Sequence, residues 1–326
     1  MWKFMTYFSI TSQILIAEAK KLWFETEILQ ANKNYYMIRG NWKEVYFKSN
    51  DYWWNSSLWY KIADDKELTT IILDKNWFKT PKSIYVSKKD LKYFDIEKTS
   101  LRFPLVTKPI DEWHGNWVTV WIETKEELKY GIKEALKYWS HFIVQEFIKW
   151  DEYRILIIWG KVILGIKRIP AHVTWDWIHT IKELIEIENK NPLRWKWYES
   201  SLSYIERDPK LVNYIWKKWQ KLDTIPKKWE YVKLRWVSNL WAGWTSINVT
   251  KEMSAKLKKE CVDAVKVLWL KVAWIDIITE DLGTSLHNSW WAIIEANSGP
   301  WFWWDFEQTW VNTWKELLKY VFNIKD

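Results

Sequence analysis

The chain has 326 residues, 49 Lys and Arg against 41 Asp and Glu, and a net charge of +8; that length supports two or three compact units around a large core. The lone cysteine, Cys261, excludes an internal disulfide, and no apolar run of about 18 residues is present to predict a membrane-spanning helix. The lysines are scattered rather than clustered, so the charge makes no case for nucleic acid, and a basic enzyme holding nucleotide and acidic substrates explains it as well.

Taken in chain order, residues 1–17 carry one lysine and an interrupted apolar stretch without a small-residue cleavage site, which argues against a signal peptide. With the single cysteine, this leads to a cytoplasmic expectation. Residues 12–30 predict an amphipathic helix, a turn at Trp23 and a strand, and Tyr35–Lys48 predicts a hairpin turning at Gly40-Asn41. Asp64–Lys75 predicts a helix with a lysine in its first turn, followed by a turn and a strand. Residues 101–150 alternate strands with one helix, Lys125–Trp139, and residues 151–175 make two strands joined at Trp159-Gly160. Beyond them come a helix over Ile178–Asn189, a polar loop over Asn191–Trp197, a mostly helical Leu202–Leu222, a strand over Lys227–Leu234 and a helix over Ser254–Leu268 that buries Cys261. This order predicts an α+β protein of separate lobes rather than one doubly wound sheet.

The composition holds an anomaly: 32 Trp and 8 Gly, where average usage gives roughly 23 Gly for this length. Many of the tryptophans stand where turn chemistry asks for glycine, as in Asn116-Trp117, Asp176-Trp177, Pro300-Trp301 and the pairs Trp53-Trp54, Trp290-Trp291 and Trp303-Trp304. An indole suits neither a positive φ nor close approach of backbone to a phosphate. The expectation is that most of these tryptophans are glycines, in a source whose code reads UGA as glycine.

Four stretches carry candidate chemistry. Near the C-terminus, two β-type runs bear Asp276 on the first and Glu295 and Asn297 on the second. Residues two apart on a strand share a face, so if the two strands are neighbours three hard oxygen donors converge, a set suited to Mg2+ or Mn2+; a hairpin with solvated acids is the alternative. Upstream, Lys108 precedes a loop through His114, Gly115 and Trp117 that becomes glycine-rich once tryptophan is read as glycine, and such a loop wraps phosphates. An apolar strand ends at Gln145-Glu146-Phe147-Ile148, whose backbone can meet a purine edge, and Glu152 follows where it can accept from ribose hydroxyls. Last, a strand delivers Arg235 into a loop of small and hydroxyl residues, where a planar fork can bridge a phosphoryl group and a carboxylate.

Together the segments KPIDEWHGNWVTV (108–120), VQEFIKWDEYR (144–154), RIPAHVTWDWIHTIKELI (168–185), NPLRWKW (191–197), LRWVSNLWAGWTSINVT (234–250), AWIDII (273–278) and IIEANSGPWF (293–302) resemble the ATP-grasp superfamily of carboxylate–amine ligases. They are most similar to the ATP-grasp portion of cyanophycin synthetases and of the bifunctional glutathione-synthesis enzymes. The resemblance runs through about residues 62–326, and it places family glycines on Trp113, Trp117, Trp175, Trp177, Trp195, Trp197, Trp236, Trp244, Trp274 and Trp301.

What the resemblance implies is an ATP-grasp fold: two α+β lobes clamping ATP, behind a short N-terminal α/β substrate domain. The expected division is 1–63 for that domain, 64–149 for the first ATP-grasp subdomain with the lid loop, and 150–326 for the second with the metal site. It implies that Lys108 contacts phosphate, that His114, Gly115 and Trp117 belong to the closing loop, and that Gln145, Glu146, Phe147 and Ile148 form the adenine hinge with Glu152 at the ribose. Arg235 would steady the transferred phosphoryl group, and Asp276, Glu295 and Asn297 would hold Mg2+ or Mn2+. The implied reaction joins amino acids or short peptides through an acylphosphate, with no nucleic-acid or membrane partner and a possible homo-oligomer. Asn116 stands where the family loop has a basic residue and Lys167 where one branch has an acid, the first 60 residues match only loosely, and no Mur-ligase-like second half is present, so full cyanophycin synthesis is not expected. Two other classes remain as alternatives: a non-catalytic ATP-binding module, and an aromatic-rich nucleic-acid binder whose stacking platforms vanish if the tryptophans are glycines.

Overall fold

The computed structural model describes residues 8–49, 55–110, 117–137, 139–195, 202–227, 231–236, 243–299 and 308–324. The chain opens with helix α1 (Ile10–Lys21) and strands β1 (Glu25–Gln30), β2 (Tyr35–Gly40) and β3 (Lys43–Lys48), which pair in that order as an antiparallel sheet. Helices α2 (Ser57–Asp64) and α3 (Lys66–Lys75) lead to β4 (Ser83–Ser87), β5 (Leu105–Pro109), β6 (Thr119–Ile122), α4 (Lys125–Ala135) and β7 (His141–Glu146). These strands form a four-stranded antiparallel sheet ordered β4-β7-β5-β6. Next come β8 (Asp151–Ile158), β9 (Lys161–Ile169), β10 (His172–Thr174), α5 (Ile181–Glu188), β11 (Arg194–Trp195), β12 (Leu202–Ser203), α6 (Pro209–Lys217) and β13 (Tyr231–Lys233). The chain closes with β14 (Thr245–Asn248), α7 (Ala255–Val267), β15 (Val272–Thr279), β16 (Trp291–Asn297) and α8 (Thr313–Phe322). A five-stranded antiparallel sheet ordered β14-β9-β8-β15-β16 is the centre of the molecule, while β10 pairs β13 and β11 pairs β12.

The two-residue period of the strands sorts the five-stranded sheet into two faces. Tyr153, Ile155 and Ile157 with Ile275 and Ile277 turn to one core, closed by α7 residues Leu257, Cys261 and Val265. Leu156, Ile158, Leu164, Ile166, Val272 and Trp274 turn to the other, closed by α1, the N-terminal sheet and α8. Smaller cores join α4 to the four-stranded sheet, and α5 and α6 to β10 and β13. The arrangement is the expected α+β one.

Helix starts follow their capping residues. Ser9, Ser56, Asp65, Thr124, Thr180, Asp208, Ser254 and Asn312 each accept from a backbone N–H of the first turn, a contact worth about 1 kcal/mol per helix. Thr180 and Glu183 complete a reciprocal capping box. The helices expected over Asp64–Lys75 and Ile178–Asn189 start two or three residues late, at Lys66 and Ile181, and two others are shortened further. Leu202–Leu222 is helical only over 209–217, because Asp208 and Pro209 fix the start there and residues 202–203 pair with β11 instead. The helix begun at Lys125 stops at Ala135 rather than Trp139.

The tryptophan anomaly reappears in the backbone. Among the described residues, Trp23, Trp42, Trp77, Trp117, Trp121, Trp159, Trp177, Trp219, Trp269 and Trp310 have φ between 45° and 82°. Trp23, Trp77, Trp219 and Trp269 each follow a helix and close the same two bonds, as in Trp77 N–H to Asp74 O at 3.1 Å and Phe78 N–H to Leu73 O at 3.0 Å. That is the Schellman motif, whose left-handed residue is most often glycine. Of the ten family-glycine positions, Trp117 and Trp177 take positive φ, Trp175, Trp195, Trp236, Trp244 and Trp274 do not, and Trp113, Trp197 and Trp301 lie outside the described residues.

Candidate functional site

The site grows out of the five-stranded sheet where one face changes from apolar to charged. Along β8 the positions facing α8 run Ile158, Leu156, Arg154, Glu152; along β15 they run Val272, Trp274, Asp276; along β9 they run Leu164, Ile166, Arg168. Register then sets the neighbours: Arg154 lies opposite Asp276, Asp276 opposite Glu295, Trp274 opposite Asn297, and Glu152 opposite Arg168. The three proposed metal donors are therefore brought together on adjacent strands. A β-bulge makes this possible. Between β15 and β16 the register passes from Asp276↔Glu295 to Ile277↔Ile293, leaving Ile294 extra. Ile293 thus faces the α7 core while Glu295, two residues on, faces Asp276.

The charged groups interlock. Arg154 donates Nε to Asp276 Oδ1 at 2.6 Å and Nη2 to Oδ2 at 2.9 Å. Arg168 Nη1 donates to Asp276 Oδ2 at 3.2 Å and pairs with Glu152. With the Asn297 amide oriented to satisfy both ends, its oxygen accepts from Arg154 Nη2 at 2.9 Å and its nitrogen donates to Glu295 Oε1 at 3.3 Å. Burial pushes the Asp276 carboxyl up, but Arg154 and Arg168 outweigh it and hold it below the usual range. Burial raises the Glu152 carboxyl, helped by Asp276 and opposed by Arg168.

Lys108, on β5 opposite Ile143, faces this cluster from the four-stranded sheet. Loss of solvation, with Lys66 beside it, lowers its ammonium to about 8 against the pull of Glu295, Glu152 and Asp276. Lys66, the first residue of α3, donates to Ile110 O at 2.8 Å and lines a crevice between α3 and β16 together with Glu295. Asp64 is pushed up to about 6 by loss of solvation, with Lys66 opposing and Glu295 adding. Four acids, Asp64, Glu152, Asp276 and Glu295, thus share the site with four cations, Lys66, Lys108, Arg154 and Arg168.

The residues expected to form the adenine hinge lie at and just past the end of β7. The Glu146 N–H donates to Lys82 O and the Phe147 N–H to Pro104 O, both at 3.0 Å, so both amides are spent on the fold. Among the described residues the Ile148 N–H donates to no backbone carbonyl. Gln145 donates to Ser83 Oγ at 2.9 Å. Trp117 has φ 63° and lies 5.3 Å from the Lys137 ammonium; His114 and Gly115 lie outside the described residues. Arg235 is not brought onto the metal donors by any described contact. Its guanidinium donates to Asp208 Oδ2 at 3.0 Å and to Glu206 O at 2.8 Å, with the following residues 237–242 outside the described set.

Sequence reasoning missed Arg154, Arg168, Lys66 and Asp64 as site residues. The alternation Glu152-Tyr153-Arg154 carried the signal for Arg154, since it shares a face with Glu152; nothing local marks Arg168, whose place depends on β9 pairing with β8. The donor chemistry, two carboxylates and an amide oxygen on one face, suits a hard divalent cation that completes its shell with phosphate and water. Among the described residues no group of three or more His, Cys, Asp and Glu side chains is placed to hold a metal alone.

Residues 63–173 match the RimK-like ATP-grasp domain. The chain is 30% identical over 250 residues to cyanophycin synthetase of Crocosphaera subtropica, covering 74% of this chain and 28% of the relative. It is 33% identical over 245 residues to the glutathione biosynthesis bifunctional protein GshAB of Listeria welshimeri, covering 73% of this chain and 31% of the relative. The chain thus spans less than a third of the length of these curated relatives. A bifunctional glutathione synthetase from Pasteurella multocida shares its fold, with TM-score 0.69, 23% identity, and coverage of 97% of this chain and 43% of that one.

Proposed function

We propose that this chain, whose residues 63–173 match the RimK-like ATP-grasp domain, is an ATP-dependent carboxylate–amine ligase of the ATP-grasp superfamily. The observation that supports this most is the row Arg154–Asp276–Glu295 across three strands, facing Lys108 from the other sheet. Four acids and four cations leave the site formally neutral. A triphosphate with about four negative charges would unbalance such a site alone, and two divalent cations would offset it.

In the proposed reaction a substrate carboxylate oxygen attacks the γ-phosphorus of ATP and ADP leaves. An amine then attacks the acyl carbon, forming the amide as phosphate departs with the carboxylate oxygen. Such phosphoryl transfer needs positioning and charge neutralisation more than covalent help from the protein. Lys108 and Lys66 would supply positive charge toward the phosphates, and Arg154 and Arg168 would stabilise the charge that builds between carboxylate and phosphoryl group. Asp276, Glu295 and Asn297 would hold Mg2+ or Mn2+, which neutralises phosphate charge when bound. The loop through His114, Gly115 and Trp117 is proposed as the lid that keeps water from the acylphosphate. Glu146 to Ile148 form the adenine hinge in this reading, with the Ile148 N–H aimed at the purine edge, and Arg235 steadies the phosphoryl group from the second lobe.

The substrates we propose are amino acids or short peptides. Cyanophycin synthetase and glutathione biosynthesis enzymes are among the chain's relatives. The division at 1–63, 64–149 and 150–326, a cytoplasmic setting, self-association and the absence of nucleic-acid and membrane partners belong to the same proposal. Among the described residues no helix is long and apolar enough to cross a membrane. ADP release, measured with Mg2+ and ATP across paired amino acids and dipeptides, tests the reading. Release that requires one carboxylate and one amine supports it; ATP binding without release under any pair favours a non-catalytic ATP-binding module.

A further inference from the structure

The cleft beside the hinge is filled by two indoles. Trp121, on β6, and Trp236, just past β13, stack at 4.6 Å between ring centroids and 7° between planes. Phe147 of the hinge meets Trp121 edge-on at 5.0 Å and 80°, and Trp236 at 5.8 Å and 73°. Tyr214 of α6 meets Trp236 edge-on at 5.1 Å. The ammonium groups of Lys218 and Lys233 lie 4.9 and 5.3 Å from the Trp236 ring. A flat aromatic slot results, walled by ring edges, capped by cations and bordered by a hinge whose Ile148 N–H donates to no backbone carbonyl among the described residues.

The slot suits a purine in shape and chemistry. Indole and purine are both flat fused bicycles, and the ring edges and ammonium groups that hold an indole face hold a nucleobase face in the same way. The backbone gives an independent sign that one of the two indoles is out of place: Trp121 has φ 58°, a conformation natural to glycine. On the ATP-binding reading of this cleft, we propose that the stacked side chains of Trp121 and Trp236 occupy the adenine position, and that glycine at both opens it to the base. In a chain that carries tryptophan at both positions the indoles compete with adenine while leaving Lys108 and the carboxylates to the triphosphate, and a chain that carries glycine there has the base position open.

The test compares the full chain with Trp121→Gly/Trp236→Gly and with Trp42→Gly, using ATP with Mg2+ and, separately, adenosine as probes in isothermal titration calorimetry. Trp42 also has positive φ, but it is fully exposed in the β2–β3 turn and makes a control for relief of backbone strain alone. Trp236→Gly alone guards against misfolding of the double variant. The expected result is at least a tenfold gain in affinity for both probes in the double variant, a smaller gain in the single variant and none in Trp42→Gly. Equal ATP affinity in all four proteins overturns the plug while leaving the ATP site standing. A gain for ATP but none for adenosine places the indoles outside the base position and overturns it too. Failure of all four to bind ATP overturns the nucleotide site on which the proposal depends.

Discussion

Asp276 shows how a single residue joins fold to chemistry. It is 1% exposed and takes hydrogen bonds from two arginines. Left without them, a buried carboxylate is costly. Arg154 covers both oxygens that a metal ion would need, so it competes with the metal for the same lone pairs. Replacing Arg154 with Met is expected to tighten Mn2+ binding in the absence of nucleotide, about tenfold, while lowering thermal stability; electron paramagnetic resonance of free Mn2+ measures the first, and unchanged affinity contradicts it. Glu295→Ala is expected to abolish turnover, with far-ultraviolet circular dichroism unchanged because the side chain is not part of either core; full ADP release by that variant removes Glu295 from the metal set. Lys108 gives the pH dependence. Its ammonium is lowered to about 8 from an ordinary 10.5, so the folded state gives up this proton more readily than the unfolded one. The lysine's contribution to stability is present above 10.5 and lost as pH falls through 8. Phosphates favour the charged form, so nucleotide affinity is expected to fall as pH rises through about 8 and binding there to take up protons. Calorimetry in two buffers of different ionisation enthalpy reads that uptake, and Lys108→Met abolishes it; equal heats in both buffers contradict the assignment.

At the scale of elements, the turns carry the clearest message. Trp23, Trp77 and Trp219 are 95%, 86% and 94% exposed and sit at helix ends with φ near 60°. Their indoles pack little, while the left-handed backbone costs a side-chain-bearing residue about 1–2 kcal/mol. Each Trp→Gly change at these three sites is therefore expected to raise unfolding stability by about 1 kcal/mol in urea denaturation, and a loss at all three contradicts the glycine reading. The codons offer a second check: UGG at these positions rules out recoded glycine. Much of the element order was legible in the sequence. The hairpin over Tyr35–Lys48, the β8–β9 pair with its turn at Trp159-Gly160 and the helix holding Cys261 were marked by alternation, turn residues and 3.6-residue periodicity. What escaped were features set by pairing. No local pattern announces the bulge at Ile294 that turns Glu295 toward Asp276, or the delivery of Arg168 beside Glu152 by β9. Strand alternation first singled out Asp276, Glu295 and Asn297, and the resemblance implied the same three; the register explains why they meet.

For the whole molecule, two sheets bring charges of opposite sign to one cleft. The four-stranded sheet contributes Lys108 and the proposed hinge, and the five-stranded sheet contributes Glu152, Asp276, Glu295 and the two arginines. Neither sheet alone holds the complete proposed site, so on the proposed reading metal and triphosphate would meet between the two. The central claim is that this cleft activates a carboxylate as an acylphosphate. Once an accepted substrate pair is known, the direct measurement is transfer of oxygen-18 from the labelled substrate carboxylate to inorganic phosphate, read by mass spectrometry during turnover with Mg2+ and ATP. Label appearing in phosphate in step with amide formed is the predicted result. Amide formation that leaves the phosphate unlabelled contradicts it.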